Sequence, residues 1–174
     1  KYIEDNFKYG TKQLIKAHKL LLSQNPELHG LRDKRLVVGD DPSVSDPSAV
    51  ATNLDKLFAW CQESIYTLYP PEFAFLFYYK FERIHPFTDG NGRLGRLIMN
   101  WILNESRYHP IIIWDSNRTA HFNAFKKGVD GHIEGFLRFM LGQYKKTYRT
   151  YIEKIEPAKS LKEQIDFFIT PSDI

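Results

Sequence analysis

Residues 85–96 read His-Pro-Phe-Thr-Asp-Gly-Asn-Gly-Arg-Leu-Gly-Arg, and the rest of the chain is organised around them. Ahead of them, Phe73 to Ile84 is apolar nearly all round, which predicts a buried helix that Pro86 brings to an end. Behind them, Leu94, Leu97, Ile98, Trp101 and Ile102 recur at helical spacing and predict a second helix running to about Ser106. The stretch is therefore a tight loop that opens a helix between two apolar walls. Asp89-Gly90-Asn91-Gly92 can turn the backbone so that successive N–H groups face one concavity. The unpaired N–H groups and dipole of the following helix add to it, which suits an anion. Arg93 and Arg96 lie three apart on one helix face and can grip the far end of a phosphate chain. His85 at the loop entrance is the natural general base, and Asp89 offers a hard oxygen ligand for Mg²⁺.

This stretch resembles the Fic signature, H-P-F-x-[D/E]-G-N-[G/K]-R-x-x-R, and matches it at every specified position. The resemblance covers roughly residues 10–150 and implies an all-α, Fic-type helical bundle with a small β-hairpin flap beside the active site. It implies protein adenylyl transfer, with AMP moved from ATP to a Ser, Thr or Tyr hydroxyl of a target protein and pyrophosphate released. The phosphates would lie on Gly90, Asn91 and Gly92, where the Asn91 side chain adds a hydrogen bond. Arg93 and Arg96 would hold the β/γ end, Asp89 would hold Mg²⁺, and His85 would take the hydroxyl proton. Glycine rather than lysine at position 92 points to AMP transfer and away from the phosphorylating branch of the family. Transfer of another nucleotide, removal of AMP, and a catalytically silent binding module are the alternative readings.

Composition is compatible with this and excludes other classes. At 174 residues with a 43% hydrophobic share, the chain can bury a real core, and its 15% aromatic content predicts bulky helix packing. A formal net charge of +3 without a long basic tract gives no indication of nucleic-acid binding. No apolar run approaches the ~20 residues that span a bilayer. Cys61 is the single cysteine, so a reducing, cytoplasmic setting is expected and the thiol is read as packing. The chain opens at Lys1 without a signal peptide, so the numbering is expected to begin inside a longer protein.

Taken in order, Leu14, Ala17, His18, Leu21 and Leu22 mark a first helix within 2–23, stopped by Asn25-Pro26, with His18 read as a packing residue. Leu36-Val37-Val38 within 30–40 reads as a short strand of a hairpin. By resemblance it is the flap, with Leu36, Val37, Val38 and Gly39 over the nucleotide and target path. After a turn-rich link, Ser48 is the expected cap of a helix from Ala49 to about Ile65. Asn100 continues the Arg93/Arg96 face and either reaches the site or caps a carbonyl. Asn117 or Thr119 starts a helix to Val129, in which His121 and Phe122 occupy the positions of the family's adenine-walling aromatic pair. A long amphipathic helix follows from Ile133 to about Lys154.

The expected domain division is a Fic domain over 1–155 and the opening of another module, winged-helix-like, over 156–174, where the pattern restarts at Ser160. Many family members carry an inhibitory Ser/Thr-x-x-x-Glu-Gly/Asn helix whose glutamate pairs with the second motif arginine, here Arg96. Ser23 to Glu27 has the spacing, but Leu28 and Pro26 break the match. An inhibitory segment before Lys1 or an antitoxin chain is therefore the expected regulator, and a homodimer stays open.

Overall fold

The computed structural model describes residues 10–36 and 45–169, with side chains to residue 154. Six α-helices are formed among these residues: α1 (Thr11–Leu21), α2 (Val50–Ser64), α3 (Pro70–Ile84), α4 (Asn91–Glu105), α5 (Arg118–Val129) and α6 (Ile133–Ile169). None is long and apolar enough to cross a membrane.

Helix α3 is the centre of the bundle, and its sequence explains why. Pro70 and Pro71 occupy the first turn, where a missing N–H costs nothing, and Glu72 complements the positive end of the helix dipole. Beyond them Phe73, Phe75, Phe77, Tyr78 and Phe81 are all buried to within 2% of their surface. A helix apolar on every side is stable only when other helices cover it. Helices α2, α4 and α6 do so, and α1 closes the structure against α2 and α4. The approach of α4 to α3 depends on Gly95: a Cβ there would stand 2.9 Å from the Tyr78 ring and 3.0 Å from that of Phe81. Gly128 on α5 plays the same part against Tyr79, at 2.7 Å.

The expected all-α bundle is present, with several local differences. The first helix is described from Thr11; its expected earlier residues lie outside the described ones. The cap ahead of α2 is Asp46, whose carboxylate accepts from the Ser48 N–H at 3.0 Å, and not Ser48 itself. No strand forms among the described residues. Residues 30–36 run as irregular chain, and Val37, Val38 and Gly39 of the expected hairpin lie outside the described residues. Helix α6 continues through Pro157 to Ile169 instead of restarting at Ser160, since good helix formers flank the proline.

Candidate active site

The end of α3 sets the site. Pro86 cannot extend the helix, and His85 turns into the left-handed region at φ 49, ψ 62. That conformation costs a non-glycine residue roughly 1–2 kcal/mol, so something must hold it. Arg32 is that clamp. It is 4% exposed, and its Nε donates to the His85 carbonyl at 2.6 Å while Nη2 reaches the Ile84 carbonyl at 3.4 Å. Further donations run to the carbonyls of Ser45 and Lys34, and the Arg32 N–H pairs with the Pro86 carbonyl at 2.9 Å. One guanidinium thereby satisfies the carbonyls that the broken helix leaves exposed.

The loop that follows is braced from inside. The Asn91 side chain is buried and clamps Phe87, accepting its N–H at 2.9 Å and donating to its carbonyl at 2.7 Å. This corrects the expectation that it reaches a phosphate: its side chain is engaged within the loop, and it offers the cleft its backbone N–H. His18 is fully buried beneath the loop, stacked on Phe87 at 3.7 Å and 4°. Its Nε2 donates to the Asp89 carbonyl at 2.9 Å, which requires the Nε2–H tautomer. The packing role expected for His18 holds, and the ring supports the motif loop as well. Gly90 then takes φ 83, ψ 0, a position that favours glycine, and caps α4. The first backbone bond of that helix runs from the Leu94 N–H to the Gly90 carbonyl. The N–H groups of Asn91, Gly92 and Arg93 are thus left at its mouth.

A cleft of about 260 Å³ opens there, lined by His85, Thr88, Asp89, Gly90, Asn91, Gly92, Arg93 and Arg96. The structure therefore brings together every motif residue assigned a role. Arg93 pairs with Asp89 at 2.8 Å at the solvent edge. Arg96 lies inward, with Nη1 3.1 Å from where a Cβ on Gly92 would stand, so Gly92 makes room for the guanidinium. Arg96 also meets the Tyr78 hydroxyl and faces Glu82.

A helix ended by Pro86 predicts an exposed terminus for His85, but the structure leaves only 14% of its side chain accessible. Burial holds the imidazole below its ordinary titration range, and the charge of Arg32 adds to this against a raising contact from the Glu82 carbonyl. The ring is consequently neutral near pH 7 and able to accept a proton. Burial pushes the Glu82 carboxyl up to about 7, with Arg96 pulling the other way.

A Mg²⁺ ion fits the donor set on one condition. No group of three or more His, Cys, Asp or Glu able to hold a metal exists among the described residues. Asp89 supplies one half-exposed carboxylate. Mg²⁺ is commonly held by one or two carboxylates together with substrate phosphates and water, so this site would take the ion with the nucleotide.

Other expected residues sit elsewhere. His121 does not line the motif cleft. Its ring stacks on Tyr78 at 5.8 Å and on Phe139 at 5.5 Å, and burial together with Arg96 lowers its pKa to about 4. Phe122 is half-buried beside it. Asn100 pairs with both backbone groups of Ile111, at 2.8 and 3.1 Å, so it is structural. Cys61 is fully buried with its thiol pushed up to about 12, as a packing residue should be. Two residues escaped the sequence reading. Glu82 had a signal, an acid past the first turn of an apolar helix and one turn before His85; Arg32 had only the rule that a proline-ended helix needs outside donors.

Comparison with known proteins agrees with this geometry. The sequence model of the Fic/DOC family matches residues 8–103. Proteins from Drosophila erecta and Drosophila melanogaster, each called "Protein adenylyltransferase Fic", are 32% identical to the chain over 145 residues. The match takes in 81% of this chain and 29% of each relative, so the chain spans under a third of their length. Fic-1 (residues 134–508) from C. elegans superposes with a TM-score of 0.77 at 26% identity, over 88% of this chain and 46% of that one. A Fic domain containing signaling protein from Bacteroides thetaiotaomicron shares the fold, with a TM-score of 0.73 at 20% identity over 83% of this chain and 63% of that one.

Proposed function

The chain belongs to the Fic/DOC family, and from that premise we propose that it transfers AMP from ATP to a Ser, Thr or Tyr hydroxyl of a target protein, releasing pyrophosphate. The observation that carries the reading is the shared cleft. A neutral, conformationally fixed imidazole stands beside the unpaired N–H groups of a helix start and two arginines. The name of the Drosophila relatives supports adenylyl transfer in particular.

In this mechanism the backbone N–H groups of Asn91, Gly92 and Arg93 receive the phosphates in place of water. Arg96, held over Gly92, and Arg93 orient the triphosphate so that its α-phosphorus faces His85. His85 accepts the proton of the target hydroxyl. The freed oxygen bonds to the α-phosphorus as the bond to the bridging oxygen breaks, and that electron pair leaves with pyrophosphate. Mg²⁺ held at Asp89 would offset the negative charge that collects on the departing group.

The test is to incubate the protein with Mg²⁺ and ATP radiolabelled in either the α- or the γ-phosphate, then follow protein-bound label. Adenylyl transfer predicts stable incorporation from the α-label only. Incorporation from the γ-label, or from neither, contradicts the proposal.

A further inference from the structure

Glu82 stands one helical turn before His85 on the same face of α3, with Oε2 3.7 Å from His85 Nδ1. Glu82 Oε1 and His85 Nδ1 are both buried and neither completes a hydrogen bond, with the Glu82 carbonyl the other acceptor that faces the ring. Two unsatisfied buried polar atoms beside a reactive centre call for a purpose. The backbone on which they sit is not free to drift, because Arg32 fixes the His85 and Ile84 carbonyls and Pro86 fixes the next φ. Only side-chain rotation is needed to close the gap.

We propose that Glu82 is a positioning residue for the His85 base: its carboxylate accepts the Nδ1 proton of His85, turns the Nε2 lone pair toward the cleft, and stabilises the imidazolium formed when the target hydroxyl yields its proton. The proton balance is simple. The hydroxyl proton passes to Nε2, the Nδ1 proton stays on the ring in a bond to Glu82, and the carboxylate charge offsets the new imidazolium. A neutral base with an orienting carboxylate behind it is a recurring catalytic arrangement.

The surroundings bear on the charge of both groups. Arg96 faces Glu82 from α4, and the Tyr78 hydroxyl faces it from one turn back on α3. Arg32 faces His85 from the segment before α2, and His121 on α5 lies close enough to feel Arg96. Asp89 and Arg93 pair with each other at the outer edge of the cleft. Burial raises the Glu82 carboxyl to about 7 and holds His85 below its ordinary range, so above about pH 7 a carboxylate stands 3.7 Å from a neutral imidazole.

Two measurements on E82Q, with E82D as the conservative variant, decide the matter. In the first, ring NMR signals of His85 are followed against pH without any substrate. The wild type should show two steps, and E82Q one step at lower pH; identical curves would overturn the proposal. In the second, kcat and KM for ATP are measured. E82Q should lose at least ~10-fold in kcat with KM nearly unchanged and with its acid limb displaced downward, while E82D recovers part of the loss. Equal losses in ATP affinity and kcat would instead make Glu82 a support for Arg96 and overturn the proposal. Only the kinetic arm rests on the adenylyl-transfer reading; if wild type transfers no AMP, that reading fails and the NMR arm still judges Glu82.

Discussion

At the scale of single residues, the site is a set of carbonyl and imidazole placements, each enforced by a named partner. Arg32 is the most heavily used of these. Replacing it with methionine keeps the volume but strips donors from the carbonyls of His85, Ile84, Ser45 and Lys34. Each buried acceptor left unpaired costs ~1–3 kcal/mol, and since some will find water, a loss of about 2–4 kcal/mol is expected. The urea midpoint measures it, and Arg32→Lys should recover little, because one ammonium cannot reproduce the fork. Asp89 gives a second residue-scale prediction. Asp89→Ala should raise the Mg²⁺ concentration needed for transfer, and an unchanged Mg²⁺ titration would remove its metal role. The catalytic rate should fall as pH drops below the ordinary histidine range, since burial keeps His85 below it and protonation abolishes a base.

At the scale of elements, the contact of α3 with α4 fixes how His85 meets the start of α4. Gly95→Ala would drive a methyl group to 2.9 Å from the Tyr78 ring. Overpacking of this kind costs roughly 1–3 kcal/mol. Gly142 on α6 is the control: nothing lies within 4 Å of its would-be Cβ, so Gly142→Ala should stabilise by up to ~1 kcal/mol. Thermal melts of the two variants should move in opposite directions. The helices themselves were legible in the sequence because periodicity and proline are local signals. Pro26, Pro70-Pro71 and Pro86 punctuate the chain where the structure does. What was not legible is how helix ends are satisfied. Asp46 and not Ser48 caps ahead of α2, and Arg32 closes α3 from more than 50 positions away, a pairing that no local pattern encodes. His121 shows the same limit. A flat ring near a helix start is equally suited to a nucleotide base or to an aromatic stack, and only the packing of Tyr78 and Phe139 selects the stack.

At the scale of the whole molecule, buried titratable groups of opposite sense govern stability against pH. His121 has its pKa lowered to about 4, so the fold prefers it neutral; this contribution is present above 6.5 and is lost as pH falls toward 4. Glu82 is raised to about 7 from 4.5, so the fold prefers it protonated; its contribution grows as pH falls through that interval. Either group changes stability by at most about 1.4 kcal/mol per pH unit. Burial also holds His85 and His18 below the ordinary histidine range, so three histidines outweigh Glu82: urea titrations from pH 7 to 5 should show the wild type losing stability, and His121→Phe should lose less. A steeper acid loss in that variant would contradict the assignment. The proposed site is readable in one stretch, because the residues assigned to base, cradle and clamp all fall within twelve consecutive positions. Its supporting layer, Arg32, Glu82 and His18, comes from three separated segments and emerges only when the chain is folded. The central claim is that His85 acts on a proton while the loop and arginines hold ATP, and one variant separates the two. For His85→Ala, calorimetry of ATP binding with Mg²⁺ and incorporation of α-labelled phosphate should be measured on the same preparation. Affinity should stay within a few-fold of wild type while transfer falls by ~10²–10⁴. Retained transfer, or loss of ATP binding in step with transfer, would contradict the account.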